Sequence, residues 1–182
     1  MMYGQLNDLR EEIMNKALTN DTLLKFIYYC DITEINAIRE TLGKPKILTA
    51  DKVDILSLPN LNRTQRQSLI NTQIFKYKRM PLNSQTETKC FLSMQFGRVL
   101  RDAKNNHWSL PLFAFTIVCP DAIAETLQGS RILAIEQCIE DNFAYQHVAG
   151  IGQTFVIGSD PETVDTGYQA RTITLRFLDY VK

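Results

Sequence analysis

The chain has 182 residues, with 20 Lys plus Arg against 20 Asp plus Glu and a formal net charge of zero. That balance excludes a domain held on nucleic acid by bulk electrostatics, because such domains are basic as a whole. A content of 45% hydrophobic and 22% charged residues excludes a charge-driven disordered chain.

No apolar run approaches the roughly 18 residues of a membrane span, and Met1 to Arg10 has neither a basic start nor an apolar stretch. The expectation is a soluble, unexported protein with no membrane partner. The zero net charge is a cancellation. Residues 55–104 hold nine Lys or Arg against Glu87 and Asp102, a net of +7, whereas 105–170 hold eight acids against Arg131 alone, a net of −7. Such asymmetry is a clue to partners, although ordinary solvated faces of opposite sign also produce it.

In chain order, the first third predicts helices. Leu6, Leu9, Ile13 and Ala17 recur at spacings of three and four, one stripe of a helix that leaves Asp8, Glu11, Glu12 and Lys16 for water. Asn20 or Asp21 caps a second helix through Tyr29, with Leu23, Leu24 and Ile27 inward. A third carries Ile35, Ile38 and Leu42 and stops at Gly43 and Pro45. Ile47 to Asn62 is loop-like, and Thr64 opens a short helix ending near Asn71. Ile74, Phe75, Tyr77 and Met80 make an extended segment that Pro81 ends, with Ile74 and Phe75 docked and the charges outside. Residues 1–62 are therefore an N-terminal helical region and 63–182 an α+β domain.

The second half changes period. Cys90, Leu92, Met94 and Phe96 alternate with Phe91, Ser93 and Gln95, the two-residue repeat of a half-buried strand. Asp102 to His107 supplies a turn. Residues 110–119 are apolar on both faces, which predicts a central, doubly covered strand with Pro111 at its beginning. Ser130 caps a helix whose Ile132, Ile135, Ile139 and Phe143 form one stripe. Gly150 and Gly152 precede a strand through Ile157, a loop runs from Ser159 to Gly167, and Tyr168 to Tyr180 is the last strand, with Ile173, Leu175 and Phe177 on one face. The order strand, strand, helix, strand, strand predicts an α+β fold: a small antiparallel ββαββ sheet with a covering helix.

Residue chemistry points away from catalysis. Gly150 and Gly152 follow a helix and open a strand, the wrong order for a phosphate-cradling turn. His107 and His147 lie in no paired-ligand spacing, so no metal or cofactor is expected. Cys30, Cys90, Cys119 and Cys138 are dispersed through apolar stretches and read as buried free thiols, none marked as activated. Lys76, Lys78 and Arg79, interleaved with Phe75 and Tyr77, have the pattern of a nucleic-acid stripe, but a docked segment with solvated charges is the more economical reading. Arg98, Arg101 and Lys104 project from a hairpin and are better placed to reach DNA or an acidic protein surface.

The segments Leu23–Tyr29 and Ser68–Tyr77 leading to Pro81, the long hairpin 88–119, the amphipathic helix and the Gly-Ile-Gly-opened strand together resemble neck proteins of tailed bacteriophages. The chain is most similar to their tail terminator or tail-completion (head–tail joining) group, over residues 20–31 and 62–180. The resemblance implies a structural virion protein, not an enzyme, assembled in the host cytoplasm. It would form a homo-oligomeric ring, a hexamer, that terminates the tail tube and joins it to a head-connector or portal-adaptor protein. DNA would pass through the lumen without sequence-specific binding. Against that group 32–61 reads as an insertion, and 63–182 as the ring-forming domain. Subunits of a closed ring meet through two different faces, which complementary charge suits. Residues 98–107 and 159–167 are then loops reaching along the ring axis, and Arg98, Arg101, Lys104, Asp160, Glu162 and Asp165 are candidate interface residues. The alternative is a non-catalytic adaptor or collar protein that contacts DNA or another virion protein through the basic 63–104 stretch.

Overall fold

Short polar side chains start the opening helices, and apolar residues at helical spacing hold them down. The structure, a computed structural model, describes residues 3–77, 88–101, 108–148, 152–164, 166–177 and 179–180. Helix α1 (Tyr3–Thr19) buries Ile13, Met14 and Ala17. Helix α2 (Asp21–Tyr28) begins where the Asn20 side chain accepts a hydrogen bond from the Leu23 amide at 2.9 Å, and it buries Leu23, Leu24, Phe26 and Ile27. Replacing Asn20 with Ala removes that cap, and a denaturant titration is expected to show a loss of about 1 kcal/mol.

Helix α3 (Ile32–Thr41) is capped by Asp31, which accepts from the Thr33 amide at 2.7 Å. The stripe expected through Leu42 stops short, because Leu42 is the residue that leaves the helix and it is exposed. Gly43 then turns the chain at φ +66°, a conformation that glycine adopts without strain. Helix α4 (Arg63–Leu69) opens on a capping box in which the side chains of Asn62 and Gln65 each accept from the other's amide. Between α3 and α4 the chain is irregular yet anchored: Ile47, Val53, Ile55, Leu58 and Leu61 enter the same core as the helices.

Strand β1 (Ile74–Phe75) is the described ordered part of the expected extended segment. Ile74 and Phe75 are buried as expected, but Tyr77 is exposed; Met80 and Pro81 lie outside the described residues. Strand β2 (Phe91–Arg101) and strand β3 (Trp108–Pro120) pair as an antiparallel hairpin whose expected turn, Asp102–His107, also lies outside them. Strands β4 (Glu125–Thr126) and β5 (Gly129–Ser130) form a small separate hairpin, followed by helix α5 (Arg131–Phe143). Strands β6 (His147–Val148), β7 (Gly152–Glu162), β8 (Tyr168–Phe177) and β9 (Asp179–Tyr180) complete the chain.

The main sheet has seven strands in the order β1-β2-β3-β8-β7-β6, with β9 pairing on β3. Its centre is the predicted pair of antiparallel hairpins joined through β3 and β8, so the fold is α+β, with helices on one face. Strand β1 pairs β2 in parallel, at Ile74 with Leu92 and Phe75 with Ser93. As the doubly apolar pattern requires, β3 lies centrally and residues 113–120 are all buried. Pro111 is not at the strand's beginning. It pairs with Val99 beside a shift of register between Phe96 and Val99, an irregularity where a missing ladder donor is tolerated.

On the helix-covered face Phe96, Phe113, Phe115, Phe143 and Phe177 meet ring against ring at centroid distances of 5.0–6.3 Å. The other face carries Phe91, Val118 and Ala170 in one cross-strand row, joined by Phe75 and Tyr168. The next row holds Ser93, Thr116 and Thr172, with the two threonine hydroxyls 2.9 Å apart.

Candidate assembly surface

The acidic block has one cation, and it never reaches the surface. Arg131 opens α5 and is 1% exposed. Its guanidinium donates to the carbonyls of Ile123 at 2.8 Å, Phe26 at 2.8 Å and Tyr29 at 3.0 Å. Phe26 and Tyr29 lie at the C-terminal end of α2, where unpaired carbonyls and the negative pole of the helix dipole favour a cation. Arg131 therefore caps α2 from α5 and ties the N-terminal helices to the sheet. With it withdrawn, the described side chains of 105–170 expose acids such as Asp160 and no Lys or Arg.

The basic block is partly spent on the N-terminal helices. Arg66 pairs with Asp21, and Lys76 pairs with Glu11. On the acidic side Glu136 of α5 pairs with Arg171 of β8 at 2.8 Å.

The predicted interface residues are not where loops would place them. Arg98 and Arg101 belong to β2, and Asp160 and Glu162 to β7, opposite Thr172 and Ala170. The chain continues as strand at both places because the ladders with β3 and β8 run further than the apolar alternation does. The expected loops over 98–107 and 159–167 are thus corrected to strand at 98–101 and 159–162. Lys104 and Asp165 lie outside the described residues.

Within one chain the two charge groups are held apart. Asp160 shares a cross-strand row with Ser93, eight residues before Arg101 on β2. The strand positions of Asp160 and of Arg98 and Arg101 are thus separated by about 16–26 Å along the strands and about 14 Å across three strand spacings. They lie on β7 and β2, with β3 and β8 between, and toward opposite ends of those four strands.

The β7 flank also presents apolar surface. Ile157 is the extra residue at a register shift between Val156 and Gly158, and it is 54% exposed. Leu133, on the outer side of α5, is equally exposed. Beside Leu133 a groove of about 400 Å³ is lined by Ile132, Pro161, Glu162, Ala170 and Arg171, among others.

A model of the YomW family matches residues 20–177, from the cap of α2 to the end of β8. The chain belongs to the YomW family. That family is phage-derived, and the protein is accordingly phage-associated. No curated protein matches the chain. In this YomW-family chain the match takes in both the Arg131 junction and the two charged strands. Arg131 was visible in the sequence only as the lone base of an acidic stretch. Its position at the start of a helix stripe, among apolar residues, is the signal of a buried role.

The four cysteines are buried free thiols. The Cys90 and Cys119 sulfurs are 3.1 Å apart, and the Cys90 amide donates to the Cys30 sulfur at 3.3 Å. The hydrogen bond with Cys90, then burial, holds the Cys30 thiol well above its ordinary value, and burial does the same for Cys90. Burial also pushes Cys138 up to about 11 and Tyr29 to about 12. The folded chain keeps these thiol protons where the unfolded chain releases them, near 9.0. Stability is therefore full below pH 9 and falls as the pH rises past it. The thermal midpoint is expected to be lower at pH 10 than at pH 7, and native thiols should react with a disulfide reagent only on unfolding.

Among the described residues no group of three or more His, Cys, Asp or Glu is placed to hold a metal ion. No described helix is long and apolar enough to cross a membrane.

Proposed function

We propose that the protein is a structural component of the phage neck: a ring subunit that terminates the tail tube and joins it to the head connector. One observation carries this reading. Asp160 and Glu162 lie on β7 and Arg98 and Arg101 on β2, with β3 and β8 between the two strands. A closed ring repeats one contact between two different faces, so each subunit's acidic strand can meet its neighbour's basic one. A two-fold dimer would instead set each face against itself. Phage-derived family membership supports the setting, and the neck assignment rests on the likeness in element order to tail terminators.

The adaptor reading, with DNA or a virion protein held on residues 63–104, is weakened by Arg66 and Lys76, whose charges are met by Asp21 and Glu11. Negative-stain microscopy of the purified chain tests the proposal. Ring-shaped particles with an open centre are expected. Particles without a lumen, together with DNA binding that weakens steeply with salt, would favour the adaptor.

A further inference from the structure

We infer that neighbouring subunits join by strand addition, the outer edge of β7 in one copy receiving the outer edge of β2 from the next. This rests on the ring reading and specifies its contact. The partner is a second copy of this chain, chosen by charge: the β7 edge carries Asp160 and Glu162, the far half of β2 carries Arg98 and Arg101.

Backbone pairing agrees with the choice. On its outer side β2 is paired by β1 at Leu92 and Ser93, toward its beginning. On its outer side β7 is paired by β6 at Gly152 and Gln153, and the Tyr145 amide and Gln146 carbonyl bond to Thr154. Among the described residues no strand pairs with the outer edge of β2 beyond Ser93 or of β7 beyond Thr154. These edge segments, Met94–Arg101 and Phe155–Glu162, are of equal length.

Direction agrees as well. Three successive antiparallel steps, β2 to β3 to β8 to β7, leave β2 and β7 running in opposite senses. Placing the next copy's β2 beside β7 then continues an antiparallel sheet across the boundary. Bringing Asp160 opposite Arg98–Arg101 requires a stagger of some five to eight residues, about 16–26 Å. A ring absorbs such a stagger by tilting its strands against the axis, as shear does in a barrel. The exposed Ile157 and the register shift beside it fall within the joined segment, where a bulge re-aims the strand edge and the apolar side chain loses water.

Charge reversal with rescue tests the contact in the full-length chain. The pair Asp160→Lys with Glu162→Lys, and separately Arg98→Glu with Arg101→Glu, should each raise the concentration of half-assembly more than tenfold in light scattering. A one-to-one mixture of the two variants should recover assembly by alternation, because one presents bases on both strands and the other acids on both. All four changes in one chain should restore assembly to within threefold of wild type. A thermal melt of each variant shows that it is folded. If wild type assembles and neither reversal matters, or if the quadruple variant stays dissociated, the strand contact is overturned while the ring reading stands. A wild-type chain that is monomeric at every concentration and salt overturns both.

Discussion

Replacing Arg131 with Met is expected to lower stability by about 3 kcal/mol or more, because three buried carbonyls lose a charged donor. Methionine retains much of the side-chain volume and no donor. The carbonyls of Phe26, Tyr29 and Ile123 then stay buried with that donor gone, and a buried acceptor left unmet costs about 1–3 kcal/mol. In a chain of this size each kcal/mol moves the thermal midpoint by about 2–4 °C, so a drop on the order of 10 °C follows. Lysine should recover only part, since its ammonium cannot reproduce the planar fork that reaches several carbonyls at once. A midpoint for Arg131→Met within 2 °C of wild type would contradict the role given to Arg131.

The second large effect is expected at Phe115. Its ring is fully buried, with centroids 5.0 Å from Phe113 and 5.3 Å from Phe143, so it joins β3 to α5. Truncation to Ala removes the transfer energy and leaves a cavity that two neighbouring rings fill poorly, a loss of about 3–5 kcal/mol. Phe115→Leu should lose distinctly less, because most of the volume stays. Chemical denaturation separates the two. Equal losses for Ala and Leu would mean that ring packing is not what joins the helix to the sheet.

Most of the architecture could be read before the structure because the local signals agreed with each other. The stripe Ile132, Ile135, Ile139, Phe143 could only be a helix with one buried face, and that face does bury. The run 110–119, apolar on both sides, could only be satisfied at the middle of a covered sheet. Other features depend on distant partners and left weak local traces. Strand β7 continues to Glu162 because β8 offers it a ladder, although Asp160 and Pro161 look like loop residues. Pro111 is tolerated inside β3 because the register shift in β2 faces it. Arg131 is the plainest case, since the carbonyls that hold it come from Phe26 and Tyr29, about a hundred positions earlier.

The candidate site was legible in its charge and not in its geometry. Counting residues showed two opposed blocks, and the structure adds that 98–101 and 159–162 are edge strands rather than loops. That change alters the proposed contact from loop tips touching along an axis to strands meeting side by side. It also explains why the acidic block is more one-signed than its sequence count, because burial removes Arg131 from it.

The proposed joining of copies of this chain into a closed ring, through opposed charges on β2 and β7, is decided by the solution mass of the wild-type chain across a salt series. Light scattering should give one multimer of several subunits at low salt, with the mass falling toward that of a single 20.9 kDa chain as ions screen the contact. A mass of one subunit throughout the series, at every concentration reached, would contradict it.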